Sequence, residues 1–575
     1  VRVSIVLEEE STIAKFGSEN LVSNDSAMNY RAKLEDEQAD ITAKIEKNIG
    51  TTIDVKWNLT LAANIISANV EFGTIDEIKK VPGVKDVIVE NRYEPMVVKN
   101  DDNVVDPNMS TSSAQIGSTN AWAAGYTGAG SRIAVIDTGI DLNHQSFAAA
   151  GYEHSLEELA EKAGKSVEEY KAGLKLLDKS EIEKAVPHLN IATNSGVNAE
   201  NLYQTSKIPF AYNYIDENFV VDHDHDTQGE HGSHVEGIAA ANKYIENEDG
   251  TFVSALDSVK VQGVAPDAQL IVMKVFGQGG GAYDSDYMAA IEDAVVLGCD
   301  SVNLSLGSGN PGFSRNATEE FAAILDSLAE NGTVVTMSAG NSYSWPEYAA
   351  NGNGVLYGDD VSFQTNGSPG SFTNSLTVAS VENDGFTGNY FSVAGNNVFF
   401  SESSYSNAPL TSITGEHDYV FLTGYGTSSD YATADVKGKV VFVSRGALDF
   451  ATKANNAVKA GAIATVVYNN AAGALNMNLT GYNYTAPVIG ITLADAEMIM
   501  QNSTVVEEDI AYTGTLTVSD GIASAVYGSE YYTMSDFSSW GTPGSLELKP
   551  EITAPGGNIY STLNHSSYGM MSGTS

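Results

Sequence analysis

The sequence predicts an α/β protein in which a parallel sheet with flanking helices is preceded by a small α+β unit and interrupted by a β-rich insertion. Three observations carry this reading. Short apolar runs (Ser131 to Ile136, Gln269 to Val275, Ser301 to Ser305, Thr333 to Ser338) alternate with helical stretches such as Asp284 to Leu297 and Ala317 to Asn331; this is the pattern of buried parallel strands joined by helices. The first hundred residues follow a different order, β-α-β-β-α-β, that of a ferredoxin-like fold. Residues 395–530 form a third zone rich in Gly, Asn, Tyr and Thr.

Taken in order, Val1, Val3, Ile5 and Leu7 alternate as a strand, and Leu34, Ile41, Ile45 and Ile49 recur at helical spacing until Gly50 stops the helix. Ile66, Ala68, Val70 and Phe72 mark a further strand, Thr74 with Glu77 reads as a capping box, and Val84 to Val89 forms the last strand of residues 1–98. A polar stretch, 99–111, reads as an exposed linker. The main α/β domain then spans 112–394 and resumes at 531–575. Within it, Ser155 with Glu158 and Ser166 with Glu169 predict two capped, charged surface helices that look inserted. In the third zone, Lys439 to Val443 and Ala464 to Tyr468 read as strands around a helix from Asp449 to Ala460.

Composition narrows the functions available. The 575 residues carry 30 basic and 74 acidic side chains, a formal charge of −44, so nucleic acid and anionic membrane surfaces are poor candidate partners. With 18% charged and 42% hydrophobic residues, the chain can fill sizeable cores. Cys299 is the single cysteine, which leaves no intrachain disulfide and no C-x-x-C site. No run has the apolar density of a membrane span. The sequence opens on Val1 with no signal-type segment, which predicts that any leader has been removed.

Four Gly-flanked motifs could carry chemistry. Val135-Ile136-Asp137-Thr138-Gly139 ends an apolar strand on a carboxylate, where open α/β sheets place functional groups. His231-Gly232-Ser233-His234-Val235-Glu236-Gly237 opens a small-residue helix on an imidazole; a metal reading would need His223, His225 or nearby Asp residues, and a general base fits better. Ser338-Ala339-Gly340-Asn341 presents an amide donor, and Gly569-Met570-Met571-Ser572-Gly573-Thr574-Ser575 ends on a hydroxyl. Each alone has a plainer reading as a turn, cap or loop. Together they supply an orienter, a base, an oxyanion donor and a nucleophile in the order Asp…His…Ser.

At these residues the chain resembles the subtilisin family of serine peptidases. Asp137-Thr138-Gly139-Ile140, His231-Gly232-Ser233-His234 and Gly573-Thr574-Ser575 resemble its three catalytic motifs. Lys207 to Tyr214, Phe537-Ser538-Ser539-Trp540-Gly541 and Lys549 to Gly557 resemble the cell-envelope peptidases of Gram-positive bacteria, the lactocepin and C5a-peptidase type. Gly438 to Val441, Arg445-Gly446 and Lys453 to Ala462 are similar to a protease-associated domain, and residues 1–98 to a subtilase inhibitor propeptide.

The resemblance implies a subtilisin-like sheet and a secreted or cell-surface serine endopeptidase made as a zymogen. Asp137, His231, Ser575 and Asn341 would be catalytic. Substrate would lie between Gly279-Gly280-Gly281 and Ser305-Leu306-Gly307, with Ser338, Ala339 and Gly340 walling the primary pocket. The partners implied are a protein or peptide substrate and the chain's own propeptide, cut within 97–112. The protease-associated insertion would limit which substrates enter. No cofactor is implied for the chemistry. The acids Asp216, Glu217, Asp222, Asp224, Asp226 and Glu230 are of the kind that holds structural calcium, yet read as a solvated loop, and no metal ligand is assigned. Glu236 departs from the family's small residue. In the family the nucleophile opens a helix, which would follow Ser575. The contrasting expectations are an inactive surface-binding or adhesion module on the same fold, and an acid-active carboxyl peptidase, against which His231 speaks.

Overall fold

The computed structural model describes the chain apart from residues 18–20, 96–108, 308–323, 326–327, 330–331, 343–364, 384, 403–407, 433, 472–474, 476, 508–509, 527–531 and 542–546. The chain divides into two compact units. One comprises Val1–Val98, Ser113–Glu382 and Tyr531–Ser575, the other Lys99–Ser112 with Asn383–Glu530. Most of the expected linker and of the expected helix Ala317 to Asn331 lies outside the described residues.

The first unit begins with strand β1 (Arg2–Leu7), helix α1 (Asp25–Ile49), β2 (Asp54–Leu59), β3 (Ile65–Asn69), the short α2 (Ile75–Ile78) and β4 (Val84–Val89). The strands form an antiparallel sheet in the order β2-β3-β1-β4, with Ile5 opposite both Ile66 and Val87. Helix α1 starts where the Asn24 side chain accepts the Ser26 and Ala27 N–H groups, and it ends at Gly50 in the left-handed region. Its buried Ile41 and Ile45 join the cluster of Val3, Ile5, Ile66 and Val87. The predicted capping box at Thr74 is absent: its hydroxyl donates back to Glu71 O at 2.7 Å.

The large sheet contains β5 (Arg132–Asp137), β6 (Phe210–Asn213), β7 (Gln269–Lys274), β8 (Ser301–Leu304), β9 (Val334–Ser338), β10 (Leu376–Glu382) and β11 (Ile552–Gly557). All are parallel, in the order β11-β10-β9-β8-β5-β7-β6. The middle of β5 and all of β7 are buried, as expected where helices cover both faces. Each fully buried aliphatic side chain there stabilises the fold by about 1.5–3 kcal/mol. Two helices position the site, α3 (His231–Ala240) and α4 (Asp284–Val296).

The two helices expected as a charged surface insertion differ from one another. Ser166 and Glu169 form the reciprocal capping box. Ser155, however, lies inside a helix running Ala149–Lys162 that buries Tyr152, Leu156 and Ala160, so its pattern marks no helix start.

Among the described residues the second unit holds a nine-stranded mixed sheet. Its centre is parallel, with Val440–Ser444, Ala464–Tyr468 and Val488–Ile491 side by side, and Gly415–Leu422 pairs antiparallel with the long strand Ala511–Val526. The expected helix spans Phe450–Lys459, capped by Asp449. This unit starts at Asn383, ahead of the expected 395, because Gly385–Val393 pairs with Ala511–Val526. No helix among the described residues is long and apolar enough to cross a membrane.

Candidate active site

Asp137 is the last residue of β5, in register with Lys274 at the end of β7. Its Oδ1 accepts the Thr138 N–H at 2.7 Å and faces His231 Nδ1 at 2.8 Å. Both residues are buried, at 1% and 4% exposure for Asp137 and His231, so this contact is shielded from solvent. His231 is the first residue of α3; Gly232 lets that helix start approach the Asp137 loop, and Gly139 lets the Val221 backbone pack against the same loop. A Cβ on Gly232 would lie 2.3 Å from Gly139 O, and one on Gly139, at φ +99°, would lie 2.0 Å from Val221 O. Thr138 Oγ1 accepts the Gly232 N–H at 2.7 Å and completes the junction.

The segment that ends at Ser575 is tied to the same helix. Ser561 Oγ donates to His234 O at 2.8 Å and Thr562 Oγ1 to Ser233 O at 2.6 Å. From there an antiparallel ribbon, Ile559–Thr562 with Tyr568–Met571, leads to Ser572. The Gly573 N–H donates to Gly556 O at 2.8 Å, and Ser572 Oγ accepts the Asn558 N–H at 2.8 Å. His231 and Ser575 line one small cavity together with His234, Ile559 and Gly573. Asn341 stands beside it: its Oδ1 accepts from Thr574 N at 2.9 Å and Thr574 Oγ1 at 3.0 Å. Thr574 Oγ1 in turn accepts the Gly340 N–H at 3.0 Å.

The two expected substrate edges flank Arg92 to Pro95, which lies beyond Val84 to Val89, the strand read from sequence as the last of residues 1–98; that strand pairs with β1 instead. Arg92 bridges Tyr283, Tyr93 N–H donates to Ala282 O at 2.8 Å, and Glu94 and Pro95 pair antiparallel with Gly307 and Leu306. A Cβ on Gly280 would meet Arg92 Nη2 at 1.9 Å, and one on Gly281 would meet Tyr93 O at 2.1 Å. Gly279 is held from behind, its N–H donating to Asp216 Oδ1 at 2.8 Å. Ser305 accepts from Asn303 Nδ2 at 2.9 Å, Ser338 Oγ donates to Leu306 O at 3.2 Å, and the Ala339 N–H donates to Val378 O at 3.0 Å.

The expectation of a solvated loop fails at Asp226, whose buried carboxylate holds a lysine that the sequence reading did not single out. Lys274 Nζ pairs with Asp226 at 2.8 Å, both side chains buried, and also donates to Thr138 O. A lone lysine directly after the apolar run Leu270 to Met273 was the available signal. Glu236 is fully buried with neither carboxyl oxygen hydrogen-bonded. Burial, then the charge of Asp137, holds its carboxyl well above the usual carboxylate range, so it is neutral.

The other histidines of the motif region have different surroundings. His223 contacts Ser233 Oγ at 2.7 Å and His234 contacts Ile559 O at 2.9 Å; burial pushes each down to about 4. Burial pushes the Cys299 thiol up to about 12, which leaves it un-ionised. Among the described residues no group of three or more His, Cys, Asp or Glu side chains is placed to hold a metal ion.

A parallel α/β sheet that brings an Asp–His pair and a serine to one end of its strands defines the serine-hydrolase class of site. The family model described as Peptidase_S8, the subtilase family, matches residues 128–575, and the chain belongs to that family. It is 30% identical over 557 residues to a PII-type proteinase of Lacticaseibacillus paracasei, which covers 94% of this chain and 26% of that protein. Minor extracellular protease Vpr of Bacillus subtilis (strain 168) is 30% identical over 85% of this chain and 49% of its own. A C5a peptidase of Streptococcus pyogenes is 28% identical over 78% of this chain and 34% of its own. The chain thus spans between a quarter and a half of the length of these relatives.

Proposed function

We propose that this chain carries the catalytic machinery of an extracellular serine endopeptidase. The observation that carries the reading is the buried 2.8 Å contact between His231 and Asp137 beside a cavity that His231 shares with Ser575. His231 takes the proton from Ser575 as its oxygen attacks the peptide carbonyl, then returns it to the leaving amine. Asp137 fixes the imidazole tautomer and stabilises the imidazolium. Asn341, whose Oδ1 accepts from Thr574, would turn its amide nitrogen to the oxyanion as it forms. Removing such a donor costs about 10²–10³ in rate.

Residues 1–98 act as an inhibitory propeptide in this reading. Arg92 to Pro95 run between the two edges that would otherwise pair with substrate, in the antiparallel manner by which extended peptides add to a sheet edge. Helix α4 supplies a further part of the docking surface: buried Glu292 accepts the N–H groups of Leu61, Ala62 and Ala63 at 3.0, 2.6 and 3.2 Å. The unit inserted in the sequence between Asn341 and Ser575 serves as a protease-associated domain that restricts substrates. An extracellular location follows the relative named as an extracellular protease.

Covalent labelling of Ser575 by a fluorophosphonate tests the triad. Labelling of the wild type and its loss in His231→Ala are expected. Equal labelling of both proteins would remove His231 from the mechanism, and no labelling in either would favour an inactive binding module.

A further inference from the structure

We propose that Asp284 makes this site select substrates with tyrosine at the position that Tyr93 occupies, on the amino-terminal side of the bond to be cut. The inference rests on the peptidase reading and names its substrate class. Tyr93 is held as a substrate residue would be, with its N–H on Ala282 O, Arg92 bridging Tyr283 just past the Gly279 to Gly281 edge, and Glu94 paired with Gly307 on the other edge. Its side chain is 1% exposed and enters a pocket of α4. There the phenol donates to Asp284 Oδ1 at 2.9 Å, and the ring packs edge-on against Tyr287 with centroids 5.7 Å apart.

The hydrogen-bond arrangement around Asp284 makes the pocket selective. Asp284 is the first residue of α4, fully buried, and its carboxyl receives only donors. Oδ1 takes Tyr93 OH and, at 3.0 Å, Tyr287 OH; Oδ2 takes Asn91 N at 2.7 Å and Asn91 Nδ2 at 3.2 Å. Three of those four donors belong to the docked segment and depart with it, while Tyr287 stays. An incoming peptide must therefore refill a buried acceptor at the end of an aromatic slot. Tyrosine does both. Phenylalanine fills the slot and leaves the acceptor short of a donor, the kind of mismatch that costs a site built around a hydroxyl far more than a missing methylene. Leucine forfeits the edge-on contact as well.

The test uses the full-length protein and peptides reproducing residues 90–112 with the residue at position 93 set to Tyr, Phe, Leu or Lys, cleavage being read by mass spectrometry. A kcat/KM for Tyr roughly 10-fold or more above Phe is expected, with Leu lower still, and Asp284→Leu should bring the Tyr to Phe ratio to one or below. A wild-type ratio within about twofold, a preference for Lys over Tyr, or a ratio that survives Asp284→Leu would overturn the proposal. A second readout needs no catalysis. In full-length Ser575→Ala, Tyr93→Phe should speed hydrogen exchange at residues 91–95, and Asp284→Leu should abolish that difference. Coupling there without hydrolysis of any peptide would keep the pocket and remove the peptidase reading. Hydrolysis without a tyrosine preference would do the reverse.

Discussion

His231 Nδ1 lies 2.8 Å from Asp137 Oδ1, and neither residue is more than 4% exposed. The contact fixes which imidazole nitrogen carries a proton, leaving the other free to accept one. Asp137→Asn keeps the shape but presents the wrong partner, and kcat should fall by about 10⁴ with KM little changed. Steady-state kinetics on a peptide substrate check this. A loss below tenfold would reduce Asp137 to a structural cap.

Asn341 carries two duties that different substitutions separate. Its Oδ1 anchors Thr574, and its amide nitrogen is the oxyanion donor of the proposed mechanism. Asn341→Asp keeps an acceptor for Thr574 while removing the donor. Turnover should drop about 10²–10³ with KM nearly constant and little change in Tm. Asn341→Ala should match that loss and also lower Tm, and an Asp variant with normal turnover would take Asn341 out of the oxyanion site.

What the sequence revealed and what it hid follow from the range of the interactions. Asp137 was legible because a carboxylate ending a buried apolar run stands out locally, and β7 because of its continuous apolar run Leu270 to Met273. The pairing of Tyr93 with Asp284 was not, since the two lie 191 residues apart and each is ordinary in its own neighbourhood. Local patterns also misled. Thr74 has the spacing of a cap, but its hydroxyl turns back to Glu71 O. Ser155 shares that spacing inside a helix already begun at Ala149.

Docking of residues 1–98 should weaken as pH rises. Asp284 is pushed up to about 7 in the docked state, first by burial and then by Glu90, itself raised by burial. Glu90 faces Ser4, Ser67, Ser285 and the Arg2 charge, and Asp284 faces Tyr93, Tyr287 and Asn91. Release exposes Asp284 and returns it toward its ordinary value near 4, so the docked form binds the extra proton. Docking is therefore strongest below about pH 4 and is lost progressively as pH climbs through about 7. After processing, co-elution of the 1–98 fragment should fall between pH 5 and 8, and Asp284→Asn should flatten the dependence. Equal co-elution across that range would contradict it.

Glu236 gives a stability prediction of the same sign by a different route. Its neutral carboxyl is buried without a hydrogen bond, near Asp137 and Lys274. Because its folded-state value lies far above the unfolded one, the folded chain keeps a proton that the unfolded chain releases above about pH 4.3. Stability is thus lost as pH rises from there toward the raised value. Glu236→Leu removes both the unpaired acceptor and the linkage. It should raise Tm at pH 5, since an unsatisfied buried polar group costs about 1–3 kcal/mol, and raise it further at pH 8. Glu236→Gln, neutral throughout, should remove the pH-dependent part alone. Calorimetry at the two pH values measures the gap, and a Tm difference between wild type and Glu236→Leu that does not widen from pH 5 to pH 8 would mean that Glu236 is charged in the fold.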